Sequence, residues 1–318
     1  MIPPIQKRLD DFRTQSRVRA GSLIVSVFSD AVFPRGGRVW LGSLITLLAP
    51  LDLSERLIRT SVFRLAKEDW LCAEAHGRRA DYMLTPSGLR RFEEASRHVY
   101  AAEAPLWDRR WRLILTVGEV DAKQRESLRR SLFWQGFGLI GADCFVHPST
   151  DVSSAFDALI AEGMTDLISH LMPLLAADLP IDLSAGDLDM VRRAWNLEKL
   201  ATAYSDFVDC YQPSLDTLRH DAQSEVDDES AFLLRTLLIN DYRRLLLRDP
   251  ELPEVLLPAQ WPGQKARQLC KELYRRLLPP SERYLDQHLE LANGETPTAS
   301  PSILSGRFQN PDPLATPV

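Results

Sequence analysis

Ser54-Glu-Arg-Leu-Ile-Arg-Thr-Ser-Val-Phe-Arg-Leu-Ala-Lys-Glu-Asp-Trp-Leu-Cys-Ala-Glu-Ala-His-Gly-Arg-Arg-Ala-Asp-Tyr-Met-Leu84 is the stretch whose reading decides the fold. Ser54 can cap a helix by accepting a hydrogen bond from a free amide of its first turn. Behind it Leu57, Ile58, Val62, Leu65 and Ala66 recur at helical spacing, which predicts a helix to about Asp69 with that stripe buried. The other face holds Arg56, Arg59, Thr60, Phe63, Arg64 and Lys67: four cations and one hydroxyl around an exposed helix. Taken alone, such a face is ordinarily a solvated one.

The residues just downstream of that helix change its meaning. Trp70 to His76 and Asp81 to Leu84 read as two short strands joined by Gly77-Arg78-Arg79-Ala80, a hairpin with a basic tip. A helix with a cationic outer face leading directly into such a hairpin is the winged form of the helix-turn-helix. In that form one helix enters the DNA major groove while the wing holds the backbone. Upstream, Leu23, Ile24, Val27, Phe28 and Ala31 mark a first helix over Val18 to Phe33, broken by Pro34-Arg-Gly-Gly37. Arg38-Val-Trp40 is β-prone, and Leu41 to Leu48 is a short helix stopped by Pro50. Downstream, Thr85-Pro86 opens a helix from Ser87 to about Ala101. Residues 17–101 are thus expected to form a winged-helix DNA-binding domain, with Arg59, Thr60 and Arg64 expected to face bases and Arg56, Lys67, Arg78 and Arg79 phosphates.

The charge distribution agrees with this placement. The 318 residues carry a net charge of -6, which alone argues against nucleic acid. Residues 1–100 nevertheless hold 16 Lys and Arg against 11 Asp and Glu, and the other residues 22 against 33. A basic front is joined to an acidic rear. The composition, 45% apolar and 26% charged, excludes collagen-like, mucin-like and disordered chains. No apolar run approaches a membrane span and the first residues lack a signal core, so the protein is expected in the cytoplasm without a membrane partner. Cys72, Cys144, Cys210 and Cys270 are too widely spaced for a zinc ribbon or disulfide framework and read as free thiols.

Past residue 106 the pattern becomes mixed. Trp111 to Val117 reads as a strand, Ala122 to Phe133 as a helix, Gly138 to His147 as a strand, Ser153 to Ala161 as a helix and Asp166 to Leu171 as a last strand. This predicts a ferredoxin-like central domain over 106–180. Cys144 and His147 lie three apart in a strand, hence on opposite faces, and are read as structural. The rear, 186–290, is all-helical: Leu188 to Trp195, Leu197 to about His220, Glu229 to Arg248 and Gln264 to Leu277. Pro297, Pro301, Pro311, Pro313 and Pro317 among small and polar residues make 291–318 a disordered tail by composition. The fold class is therefore α+β in three domains and a tail.

The chain resembles the PaaX-type repressors of the phenylacetic acid degradation operon over roughly residues 17 to 290. The match is carried by Leu23-Ile-Val-Ser-Val-Phe28, Gly36-Gly-Arg-Val-Trp-Leu-Gly-Ser-Leu44, Glu55-Arg-Leu-Ile-Arg-Thr-Ser-Val-Phe-Arg-Leu65 and Gly77-Arg-Arg79. At the rear it is carried by Tyr242-Arg-Arg244, Arg248-Asp-Pro-Glu-Leu-Pro253 and Leu257-Pro-Ala-Gln-Trp-Pro-Gly263. The family pattern has glycine where Ser29 and Asp69 stand, an aromatic residue at Asp81 and histidine at Asn240. The resemblance implies a Cas2-like central domain and a homodimeric, DNA-binding repressor of aryl-coenzyme A catabolism, released from a palindromic operator by phenylacetyl-coenzyme A. Such an effector needs an aromatic slot and cations for its phosphates. Tyr242, Arg243, Arg244 and Trp261 supply those types, although a Trp-Pro packing corner and arginines paired with Asp249 or Glu251 would account for them equally.

Two other classes compete with the repressor. One is a coenzyme A-thioester-handling or nucleolytic enzyme with an appended winged helix; the other is a winged helix that binds only protein. A Cas2-like phosphodiesterase needs an aspartate just after the first strand, where this chain has Gly118-Glu-Val-Asp121 with no second carboxylate or histidine at metal-ligand spacing. No nucleophile elbow, phosphate-binding glycine loop or metal cluster is present, so the reading is a non-enzyme with no catalytic residue, cofactor or metal.

Overall fold

The computed structural model describes residues 2–16, 18–177, 185–220 and 226–309. They group into two compact units: 1–102 with 205–244 and 263–318, and 103–204 with 245–262. The rear helices expected as one domain are thus shared between the two. Among the described residues no helix is long and apolar enough to cross a membrane.

The first unit begins with a helix absent from the sequence-based expectation, α1 (Pro3–Arg13), burying Ile5, Leu9 and Phe12. α2 (Ala20–Val27) runs on through a π-helical turn, Phe28–Val32, into a 3-10 turn, Phe33–Arg35. After Gly36 and Gly37 come β1 (Arg38–Trp40), α3 (Leu41–Leu48) and α4 (Glu55–Lys67). β2 (Leu71–His76), β3 (Arg79–Leu84) and α5 (Pro86–Val99) complete this part. The three strands form one antiparallel sheet in the order β1-β3-β2, with Val39 opposite Tyr82 and Ala73 opposite Tyr82. Gly42 is required where it stands, because a Cβ there would overlap the Trp40 ring at 2.4 Å.

The second unit contains β4 (Trp111–Thr116), α6 (Ala122–Trp134), β5 (Gly138–Ile140), β6 (Cys144–His147), α7 (Val152–Ala161), β7 (Leu171–Ala176) and α8 (Asp187–Ala194). Its sheet is antiparallel in the order β5-β6-β4-β7, the β-α-β-β-α-β order of a ferredoxin-like layer. The predicted single strand from Gly138 to His147 is two strands folded about a turn at Gly141, φ 67°. The predicted last strand is displaced: Thr165–His170 is 3-10 helix and pairing starts at Leu171, opposite Thr116. Both faces of the sheet are covered, because successive strand residues alternate between them. Ile114, Leu128, Leu132, Phe145 and Leu159 fill one core, and Trp111, Val146, Val191, Leu252 and Leu256 the other.

The first unit is completed by α10 (Asp228–Leu246) through residue 244, by the part of α9 (Leu197–His220) from residue 205 onward, by α11 (Pro262–His288) from residue 263 and by α12 (Pro301–Gly306). α11 continues eleven residues beyond the expected end, through Pro279 and Pro280, because Ser281, Tyr284 and Leu285 extend its buried stripe. The expectation of a disordered tail is corrected over its described part. Residues 291–309 are ordered, with Arg307 and Phe308 at 4% and 0% exposure. Proline-rich composition averages over a segment and misses two such anchors; 310–318 lie outside the described residues.

A buried ionic network holds this unit together. Asp30, in the π-helical turn, accepts from Arg235 Nε at 2.7 Å, Arg307 Nη1 at 2.8 Å, the Tyr100 hydroxyl at 2.6 Å and the Tyr274 hydroxyl at 3.1 Å. Burial raises the cost of the Asp30 charge, but the two guanidiniums and the hydrogen bonds outweigh it and hold its carboxyl below the ordinary range. Arg235 also pairs with Glu282 at 2.6 Å, and Arg35 bridges Glu282 and Asp286.

Candidate nucleic-acid interface

α4 takes its place by burying Ile58, Ser61, Val62 and Leu65, with Ser54 Oγ accepting from the Leu57 amide at 3.3 Å. Leu57, expected in the buried stripe, is 38% exposed at the edge of the helix. Asp69 ends the helix with φ 58°, and the Trp70 amide returns to the Leu65 carbonyl at 2.9 Å. This left-handed position favours glycine, the residue that the resemblance implies there.

Arg56, Arg59, Thr60, Phe63, Arg64 and Lys67 are all exposed, so the helix presents the expected outer face. The members differ in how free they are. Arg56 and Lys67 have no ion pair among the described residues. Arg59 Nε is held by Glu55 at 2.7 Å, and Arg64 Nε lies 3.9 Å from Glu68. Thr60 donates its hydroxyl to the Arg56 carbonyl at 2.8 Å, so that proton is spent within the helix.

The hairpin is tighter than the sequence suggests. His76 pairs with Arg79, leaving Gly77-Arg78 as a two-residue turn. Gly77 has φ 62°, the conformation that favours glycine at the first position of such a turn. Arg78 is exposed at the tip, whereas Arg79 lies over the Trp40 ring at 4.3 Å and is partly committed to a cation–π contact. Asp81 turns inward rather than toward the tip: it is 3% exposed and accepts from the Ala292 amide at 2.6 Å. Together with Trp40 N donating to Glu290 O at 3.0 Å and Ser43 Oγ donating to His288 O at 2.8 Å, it straps residues 288–292 across the sheet and α3.

The four residues expected around an effector are not all in one unit. Tyr242, Arg243 and Arg244 belong to the first and Trp261 to the second. Tyr242 is 1% exposed with its ring 5.6 Å from Phe207, and Trp261 is 8% exposed against Tyr204 at 6.0 Å, so neither ring offers an open face. Arg243 is buried and bonds only neutral partners on α2: Nη2 to Ser22 O and Oγ at 3.1 and 2.7 Å, and Nε to Ser26 Oγ at 3.2 Å. Desolvation lowers its pKa to about 10.

In the second unit two of the residues weighed for an enzymatic reading, Asp121 and His147, are occupied structurally. Asp121 caps α6 in a reciprocal capping box with Gln124. His147 is buried; its Nδ1 accepts from the Ser149 and Thr150 amides at 3.1 and 2.7 Å, which leaves Nε2–H to donate to Pro250 O at 3.0 Å. Among the described residues no group of three or more His, Cys, Asp or Glu could hold a metal ion.

Comparison with known proteins gives a consistent assignment along most of the chain. Models described as PaaX-like protein, PaaX protein central Cas2-like domain and PaaX-like protein C-terminal domain match residues 19–88, 104–172 and 195–287 in turn. The transcriptional repressor PaaX of Escherichia coli (strain K12) is 38% identical over 292 residues, 92% of this chain and 90% of that protein. The solved structure of an uncharacterized protein from Mycobacterium tuberculosis superposes with a TM-score of 0.52 at 21% identity, covering 82% of this chain and 96% of that one; it speaks for the fold alone. The chain belongs to the PaaX-like protein family.

Proposed function

We propose that this protein is a cytoplasmic transcriptional repressor that grips operator DNA with the segment from α2 to α5 acting as a winged helix. The observation that carries the reading is the exposed outer face of α4, with four cations around Thr60 and Phe63, leading directly into an arginine-tipped hairpin. α4 enters the major groove with Arg59, Thr60 and Arg64 toward the bases, and Arg56, Lys67, Arg78 and Arg79 toward phosphates. The free guanidinium of Arg56 and the ammonium of Lys67 suit phosphate without rearrangement, while Arg59 must release Glu55 to reach a base. The acidic remainder of the chain discourages wider contact with DNA. Two copies on a two-fold axis bind a palindromic operator with half-sites one or more helical turns apart.

The repressed genes, on this reading, serve aryl-coenzyme A catabolism, and phenylacetyl-coenzyme A is the releasing effector. Of the four residues expected around it, Tyr242, Arg243 and Arg244, which lie in the first unit, are its proposed contacts. Support comes from Arg243, a buried cation whose hydrogen-bond partners are all neutral and which bonds α2 of the proposed head directly. An anionic ligand drawing on Arg243 would loosen that link. Release requires that the effector bind the released state more tightly than the operator-bound one.

The test is a gel shift on the gene's own upstream region, with candidate thioesters and their free acids added in turn. The reading expects a specific shift reversed by phenylacetyl-coenzyme A and not by phenylacetate. A shift that no thioester reverses would remove the effector assignment, and turnover of the thioester by purified protein would favour an enzyme.

A further inference from the structure

We infer that Phe63 reads a thymine 5-methyl group in each operator half-site, an inference that rests on the proposed DNA-binding function. Phe63 is 73% exposed on a helix whose apolar core residues, Ile58, Val62 and Leu65, are at most 5% exposed. No aromatic or cation–π contact involves it among the described residues. At 100° per residue, Arg56, Thr60, Phe63 and Lys67 form one stripe along the centre of the outer face, with Arg59 and Arg64 on its two flanks. The residue at the middle of the proposed reading surface is therefore apolar and surrounded by cations.

That placement restricts what Phe63 can do. A phenyl ring can neither pair with phosphate nor satisfy the hydrogen-bonding edge of guanine, adenine or cytosine. Thymine alone presents a methyl group in the major groove. Thr60, one turn earlier, has its hydroxyl proton committed to the Arg56 carbonyl, so it adds no competing donor at that point. Arg59 and Arg64, on either side, suit guanine O6 and N7. The half-site expected from this face is a thymine flanked by guanines, with the methyl contact contributed by Phe63.

The test uses the full chain and a duplex enriched by it from a randomised pool, in which each thymine is replaced in turn by deoxyuridine, which removes only the methyl. Wild type should lose about fourfold in affinity at one symmetry-related thymine per half-site, the fold-change that corresponds to burying one methyl group. Phe63→Ala should bind the thymine and uracil duplexes equally, and Phe63→Leu should keep part of the discrimination. The salt dependence of binding should be the same in all three, since no phosphate contact changes. Equal uracil penalties in wild type and Phe63→Ala, or wild type indifferent at every thymine, would overturn the role of Phe63 and leave the DNA-binding reading standing. A pool that yields no enriched duplex would overturn both. Weaker self-association of Phe63→Ala with unchanged thymine discrimination would make the residue a dimer contact and reject the inference.

Discussion

Asp30→Asn is the substitution that most directly probes how the first unit is held together. The change keeps shape and removes one charge from a site where Arg235 and Arg307 are 1% and 4% exposed. Removing one partner of a buried ion pair costs about 3–5 kcal/mol because the other charge stays buried without compensation. Arg235 keeps Glu282 at 2.6 Å, whereas Arg307 has no second carboxylate among the described residues, which puts the loss toward the lower end, about 3 kcal/mol. For a unit of this size that corresponds to a fall of about 6–12 °C in Tm. Denaturant unfolding followed by circular dichroism would measure it, beside the double variant Asp30→Asn/Arg307→Met. Taking out the stranded cation should recover at least ~1 kcal/mol of the single variant's loss. The Asp30 pKa is depressed in the fold, so its contribution is complete above the ordinary aspartate range and is lost only as pH falls through the lowered value. The difference between wild type and variant should therefore stay constant from about pH 5 to 8. A loss below ~0.5 kcal/mol, or a double variant no more stable than the single one, would refute the network as the tie between the π-helical turn and the C-terminal residues.

Other consequences can be checked in the same way. Burial lowers the His147 pKa to about 4, below its unfolded value near 6.5, so the stability it confers is present above pH 6.5 and falls as pH drops toward 4, by about 3 kcal/mol in all. Urea midpoints measured across that window should fall more steeply for wild type than for His147→Gln, and parallel profiles would contradict the neutral imidazole. Asp69→Gly, which relieves a left-handed backbone at the end of α4, should stabilise the chain by ~0.5–1 kcal/mol in thermal melts; destabilisation would mean that the Asp69 side chain does more than the structure assigns to it. Arg59→Ala or Arg64→Ala should each cost ~1–3 kcal/mol on the specific site and little on random duplex, whereas Arg78→Ala should weaken both alike and reduce the salt slope. An equal loss for Arg59→Ala on random DNA would move that residue to the phosphates.

Much of the fold could be read from local patterns, and the features that could not have identifiable causes. α4, its Ser54 cap and the hairpin derive from spacing and turn chemistry within thirty residues, and the structure has all three. The start of β7 does not, because it is set by pairing with β4 over fifty residues away, and Met172 and Leu175 on that edge strand are exposed despite being apolar. The extra strand is hidden in a run where only Gly141 marks the turn. α1 carries a legible stripe, Ile5, Leu9 and Phe12, behind a Pro-Pro start, and is not among the helices expected. The tail and α11 show the converse error: prolines suggest disorder or a stop, yet Phe308 and Tyr284 are buried beyond them. Of the proposed contacts, the exposure of α4 was legible; the pairing of Arg59 with Glu55, the turn of Arg79 onto Trp40 and the inward Asp81 depend on side-chain geometry that spacing does not encode.

Sequence-specific reading of DNA by the outer face of α4 is the property on which the proposed function turns. Competition of a labelled duplex from the gene's own upstream region against random duplex, with wild type and Arg59→Ala/Arg64→Ala, measures it most directly. Wild type should bind its own duplex at least about a thousandfold tighter than random duplex at physiological salt, with most of that margin lost in the double variant. Equal affinity for the two duplexes, or specificity that survives the double variant, would contradict it.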